Sequence, residues 1–178
     1  VLSANGPVNK TSGNFNNHIG LPLTILAGDE SHTSGVWEMG MNHAGEIEVL
    51  AEIGAPDAAV ITHIGTAHIE HLKTREAIAA EKASLAEAIP SDGFCVMPLH
   101  DDYYHFVAER VNCRMISVGV DQGDVRAEGL RLNERGESCF SIAAGGLRSC
   151  EIQLSIRGRH MVINAMLAAA VGLEQGVG

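Results

Sequence analysis

Large aromatic side chains are scarce in this 178-residue chain, at 4% of the total, while glycine is plentiful at 20 residues. That balance disfavours an all-β sandwich built on aromatic pairs and suits helices packed closely on a sheet. Cysteine is sparse and scattered. Cys95, Cys113, Cys139 and Cys150 form no CxxC pair, which disfavours a disulfide framework or a zinc site and predicts buried free thiols. Basic residues are few, 12 Lys and Arg against 22 Asp and Glu, for a formal charge of -10. This argues against bulk binding to nucleic acid or anionic lipid, while a small polyanion held by helix N-termini or metal ions stays open. No run of eighteen apolar residues occurs, so no membrane-spanning helix is predicted, and the N-terminus has neither the charged nor the apolar region of a signal peptide. The expected compartment is the cytoplasm.

What is present is a 46% hydrophobic content, enough to bury the core of one domain. Gly35 to Gly40 reads as a strand, and Gly45 to Ile53 repeats Ile47, Leu50, Ala51 and Ile53 at helical spacing. Ala58 to Ile64 is a nearly continuous apolar run, the mark of a strand covered on both faces. Thr74 opens a helix that runs to about Ile89 and stops at Pro90; Gly93 to Met97 is a strand, Asp101 to Val111 a helix and Arg114 to Gly119 a strand. Ahead of these, Val1 to Asn9 shows no pattern, Lys10 to Gly20 reads as a polar loop, and Leu21 to Leu26 as a short helix or turn. The alternation predicts an α/β fold, with a mostly parallel sheet and flanking helices over residues 1–122. From Gly123 the texture changes. Val125 to Leu132, Ser138 to Ala143 and Cys150 to Ile156 alternate between turn signals, predicting a small antiparallel β annex over 123–157. A small-residue helix from His160 to about Gln175 fills 158–178.

Two strand ends carry the polar residues. Glu38, Asn42 and His43 follow the first, around Gly40; His63, Thr66 and His68 follow the second, around Gly65; and the next helix carries Lys82. The carboxyl ends of strands are where an α/β sheet delivers its chemistry. Each residue singly has a plain alternative. Glu38 is an oxygen ligand for Mg²⁺ or an exposed strand-end carboxylate. His68 is a metal or phosphate contact or a loop histidine, and Lys82 alone reads as an exposed helical lysine among Glu81 and Glu87. His43, His63 and His71 show no zinc spacing and read as ordinary histidines. Thr11 to Gly20, with three asparagines and two glycines, is either a fixed loop for a polar ligand or a turn-rich surface loop. His160 and Asn164 contact a ligand or cap their helix.

In order and spacing, five segments resemble the motifs of the Mur ligases. They are Thr11-Ser12-Gly13-Asn14-Phe15-Asn16-Asn17-His18-Ile19-Gly20-Leu21-Pro22, Glu38-Met39-Gly40-Met41-Asn42-His43-Ala44-Gly45-Glu46-Ile47, Ile64-Gly65-Thr66-Ala67-His68, Lys82, and Gly158-Arg159-His160-Met161-Val162-Ile163-Asn164-Ala165. The asparagine-rich loop and the segment from Glu38 resemble the MurF-type branch, which adds D-alanyl-D-alanine to UDP-N-acetylmuramoyl-tripeptide in bacterial peptidoglycan synthesis. The resemblance implies the family's central ATP-binding domain, P-loop NTPase-like in fold. It also implies an ATP-dependent amide ligase: ATP phosphorylates the terminal carboxylate of the tripeptide, and the amine of D-alanyl-D-alanine displaces phosphate from the acyl phosphate. By the same resemblance Glu38, His68 and Lys82 are catalytic and Mg²⁺-site residues, Lys82 after carbamylation by CO₂ into an anionic oxygen ligand. His160, Asn164 and Asn42 match nucleotide contacts, and Thr11, Ser12, Asn14, Asn16 and Asn17 match contacts to the nucleotide-sugar peptide. Met161 stands where the family pattern has asparagine. Neither nucleic acid nor membrane insertion is implied.

Those ligases hold ATP phosphates on a GxxGKT/S-type loop shortly before the asparagine-rich loop, and this chain contains no such segment. With Val1 as its first residue, the sequence reads as a central domain cut after that loop. Two other readings compete. One is another ligase of the superfamily, adding a different amino acid or extending folate with glutamate, against which the asparagine-rich loop speaks. The other is a non-catalytic binding module, against which the joint presence of Glu38, His68 and Lys82 speaks. Lacking the loop's backbone donors and lysine, the 178 residues alone should bind ATP weakly and not turn it over; calorimetric titration showing saturable micromolar binding would overturn this.

Overall fold

Four successive residues of one strand, Phe94 to Met97, are buried, and they alternate between two cores. This strand is β4 (Phe94–Pro98) in a computed structural model that describes residues 1–67 and 69–177. Because side chains of a strand point to opposite faces in turn, Cys95 and Met97 enter one apolar cluster while Phe94 and Val96 enter the other. The first cluster is covered by α2 (Glu46–Gly54), α4 (Arg75–Glu87) and α5 (Tyr104–Ala108), through Ile47, Leu50, Ile78, Ala79, Ala83 and Val107. The second is covered by α6 (Arg159–Glu174), through Val162, Met166, Leu167 and Ala170.

Around β4 the strands follow in chain order. β3 (Ala58–Val60), β4, β5 (Arg114–Val120) and β6 (Val125–Leu132) are parallel, and β7 (Ser138–Ala144) and β8 (Leu147–Leu154) continue the same sheet antiparallel. The expected α/β fold with a mostly parallel sheet and flanking helices is what forms. Two differences are instructive. Val8–Lys10, in a segment without pattern, is a strand, β1, pairing parallel with β2 (Ser34–Val36); together they make a two-stranded sheet not hydrogen-bonded to the other six strands. A three-residue strand carries too little periodicity to be seen and exists only through its partner. Helix α1 (Gly20–Leu26) and α2 bridge the two sheets, with Leu21, Ile47 and Leu50 in the same cluster as Ala59 and Ile61. Cys150, expected to be buried, is exposed, because the last strand is open to water along most of its length; the other three thiols are buried as expected.

The connection from β5 to β6 is the other surprise. Parallel neighbours normally need a crossover of a dozen residues or more, yet here four residues suffice, with Val118 opposite Val125. Asp121 takes a left-handed conformation (φ 60°) and Gly123 a positive φ of 107°, and a Cβ on Gly123 would lie 3.0 Å from the Ser117 carbonyl oxygen. Asp124 Oδ2 accepts from the Ser117 amide at 2.8 Å and its hydroxyl at 2.6 Å, locking the loop. β6 therefore overlaps β5 by three pairs only and carries the antiparallel hairpins past the end of the parallel strands. The β7–β8 turn at Gly145-Gly146, with both φ positive, is the two-residue hairpin its glycines signal.

Thr74 caps α4, its hydroxyl oxygen accepting from the Ala77 amide at 3.1 Å. At the start of α2 the Glu46 carboxylate reaches back to the Asn42 and His43 amides, at 2.6 and 3.1 Å. These two bonds hold the Glu46 carboxyl well below its ordinary 4.5, at about 2. A depressed folded-state value means the unfolded chain takes up the proton first. The bonds should therefore stabilise the fold fully above pH 4.5 and progressively less as pH falls toward about 2. Urea unfolding across this range should show a stability gap between the native chain and Glu46→Gln that closes on acidification.

Candidate active site

Three elements deliver polar groups to the carboxyl edge of the parallel strands. After β1, Thr11 pairs its amide with the Val36 carbonyl at 3.1 Å, and its hydroxyl oxygen accepts from the Glu38 amide at 2.8 Å. Asn16 donates from Nδ2 to Glu38 Oε1 at 3.0 Å, and its carbonyl accepts from the Gly40 amide at 2.8 Å. The asparagine-rich loop is thus laced to the strand-end loop, and the exposed Glu38 carboxylate is aimed by an amide while an oxygen stays available. Gly40 allows this closeness, since a Cβ there would lie 2.7 Å from Asn16 Nδ2.

The members of the loop divide by role. Asn17 Oδ1 accepts from the Ile19 and Gly20 amides at 3.1 and 2.9 Å and so turns the chain into α1. Ser12 and Asn14 are exposed beside it. Asn42 is exposed, with its backbone amide given to Glu46. His68 lies outside the described residues.

The second strand end is held from three directions. Asp101, just beyond β4 and with a side chain only 1% exposed, accepts from the Ile64 amide at 2.9 Å and pairs with His63 Nδ1 at 3.0 Å. Arg75 donates to the Ile64 carbonyl at 3.0 Å while pairing with Asp102 at 2.8 Å. Lys82 donates to the His63 carbonyl. Burial pushes the Lys82 amine below its ordinary value, against the opposing charge of Asp101. A desolvated amine gives up its proton more readily, which is how lysines become nucleophiles.

Lys82 has a neighbour that sequence reasoning passed over. Glu81 is 7% exposed, and its two oxygens accept from the Gly45 and Ile47 amides, both at 2.8 Å. At the start of α2 the Gly45 and Ile47 amides are thus held by Glu81, and the Asn42 and His43 amides just before it by Glu46. A phosphate approaching these four amides would have to displace a carboxylate. The signal for Glu81 was present: it falls on the apolar face of α4 with Ile78 and Ala79 before it and Ala83 and Ala86 after it, and a carboxylate on such a face needs donors.

His160 and Asn164 sit exposed, four residues apart, at the start of α6. The Arg114–Glu174 pair ties the end of α6 to the beginning of β5, so the beginning of α6 lies toward the carboxyl edge. An apolar recess of ≈ 700 Å³ between Val1, the β7–β8 hairpin and Leu173 lies by the other end of α6, away from these polar groups. Among the described residues no group of three or more His, Cys, Asp or Glu stands ready to hold a metal. A single carboxylate such as Glu38 nonetheless fits Mg²⁺, an ion usually held by one or two carboxylates with substrate phosphates and retained waters.

The profile of the Mur ligase middle domain matches residues 1–172. The chain is 38% identical over 182 residues to the UDP-N-acetylmuramoyl-tripeptide--D-alanyl-D-alanine ligase of Bacillus subtilis, covering 99% of this chain and 37% of that protein. The crystal structure of MurF from Acinetobacter baumannii matches with a TM-score of 0.92 at 32% identity, over 99% of this chain and 39% of that one. MurF ligase from Thermotoga maritima in complex with ADP matches with a TM-score of 0.86 at 27% identity, over 99% and 41%. The chain therefore spans well under half the length of these relatives. Since the profile runs through both strand-end loops, α4 and all but the last two residues of α6, the chain belongs to the Mur ligase family as a middle domain.

Proposed function

We propose that the chain is the ATP-using core of a bacterial cytoplasmic ligase that joins D-alanyl-D-alanine to UDP-N-acetylmuramoyl-tripeptide through an acyl phosphate, working within a longer protein. The observation that carries this reading is the 38% identity, along 99% of the chain, to a ligase of that name. The ADP in the complex of the Thermotoga maritima relative supports nucleotide binding by this chain.

In this reading Glu38, aimed by Asn16, supplies an oxygen to Mg²⁺, and that ion neutralises the crowded phosphates of ATP. Lys82 adds to CO₂ as the neutral amine: an N–C bond forms, a proton leaves, and an anionic carboxylate takes the place of a cation that would repel the metal. Its partial burial favours the amine that this step needs. By the resemblance to the family, His68 is a further metal-site residue. His160, Asn164 and Asn42 meet the nucleotide, and Thr11, Ser12, Asn14, Asn16 and Asn17 form the loop toward the sugar peptide. Within that loop the Asn17 oxygen and the Thr11 hydroxyl oxygen accept protein bonds already, so Ser12 and Asn14 are the freer contacts.

The direct test is phosphate release with Mg-ATP, UDP-N-acetylmuramoyl-tripeptide and D-alanyl-D-alanine, run on this chain and on a longer protein with the flanking segments restored. Release confined to the longer protein and dependent on all three substrates is expected. Release with a different amine would keep the chemistry and change the substrate, and silence from both would favour a binding module. In the longer protein Lys82→Ala should lose about a hundredfold or more in kcat, with partial recovery on adding formate or acetate; an active variant, or one that no small carboxylate rescues, would refute the carbamate.

A further inference from the structure

We infer that Glu81 is a positioning residue that sets where Lys82 stands relative to the Glu38 edge. The inference rests on the ligase reading for the role of Lys82, but the clamp itself is geometric. Glu81 and Lys82 are consecutive on α4, and each reaches a different loop. Glu81 takes the amides of Gly45 and Ile47, at the end of the loop that begins with Glu38; Lys82 takes the carbonyl of His63, at the end of the β3 run. The two bonds to Glu81 diverge to the N-cap and the second residue of α2, so they fix the roll of α4 about its axis as well as its height.

Water cannot substitute for the Ile47 bond, because Glu81 and Ile47 are both buried; the Gly45 bond lies nearer the surface. Gly45 is well suited to the inner end of the clamp: it begins α2 in a left-handed conformation, φ 86°, with no side chain of its own. The rest of the α2–α4 contact is alanine and branched aliphatic surface, Ala79 and Ala83 against Ile47 and Leu50, which resists separation but resists sliding only weakly. A roll of about 10° moves a side-chain tip at the roughly 6 Å surface of a helix by about 1 Å, and a misplacement of that size can cost about a hundredfold in rate. Asp101 complements the clamp from the far side by fixing His63 and Ile64, so that the carbonyl Lys82 meets is itself immobile.

The test compares Glu81→Gln, which keeps the size but brings an NH₂ against an amide donor, and Glu81→Asp, which keeps the charge and shortens the reach. Ile78→Val, in the same apolar cluster and 1% exposed, serves as a packing control. In the 178-residue chain, lysines are labelled by reductive ¹³C-methylation and the Lys82 signal is assigned with Lys82→Arg. Both Glu81 variants should shift that resonance while Ile78→Val leaves it in place. In the longer protein they should lower kcat about 10- to 100-fold and raise the Mg²⁺ needed for half-maximal rate, with the KM for ATP little changed and Ile78→Val near native. An unmoved Lys82 resonance in whichever Glu81 variant folds, or an equal shift in Ile78→Val, overturns the inference. An inactive native protein refutes the ligase reading instead, and the resonance still decides the clamp.

Discussion

Two neighbouring side chains on one helix tie the two loops of this domain together. Glu81 grips the backbone at the start of α2 and Lys82 grips the backbone beyond β3, so α4 spans the gap between a two-stranded sheet and a six-stranded one that share no hydrogen bonds. Apolar burial brings these parts into one core but is non-directional. The charge-assisted bonds to backbone add the direction, since each fixes a distance and an angle that aliphatic contact leaves soft.

The same logic recurs wherever the chain must hold an irregular segment. Asp101 and Arg75 fix both backbone groups of Ile64, Asp124 fixes the four-residue return between β5 and β6, and Glu46 fixes the residues before α2. In every case a carboxylate or guanidinium satisfies peptide groups that no sheet or helix ladder reaches. An acidic chain gains from this use of its charge: four of the 22 acidic residues serve as internal acceptors at the places where the strands end.

Membership in the Mur ligase family gives these loops a common setting, and the domain's fold agrees with MurF structures along nearly its whole length. Much of this was legible in advance. The buried strands β4 and β5, the capped helix after Thr74, the hairpin at Gly145-Gly146 and the motif segments could all be read from local pattern, because each is written in residues adjacent in the chain. The separate pairing of β1 with β2, the short parallel return at Asp121 to Asp124 and the exposure of Cys150 could not, because each depends on which distant strand lies alongside.

At the site the division is sharper still. By itself the sequence determined the motif segments that resemble the family's, among them Glu38, Asn16, Lys82, His160 and Asn164. Only the tertiary structure decided which carboxylates are acceptors for the scaffold and which remain free. Glu38 and Glu81 are the same residue type, one exposed with a single amide on it and the other sealed against two peptide groups. The helical pattern around Glu81 signals its burial, but its hydrogen-bond partners lie on a segment more than thirty residues away that meets it only when the core closes.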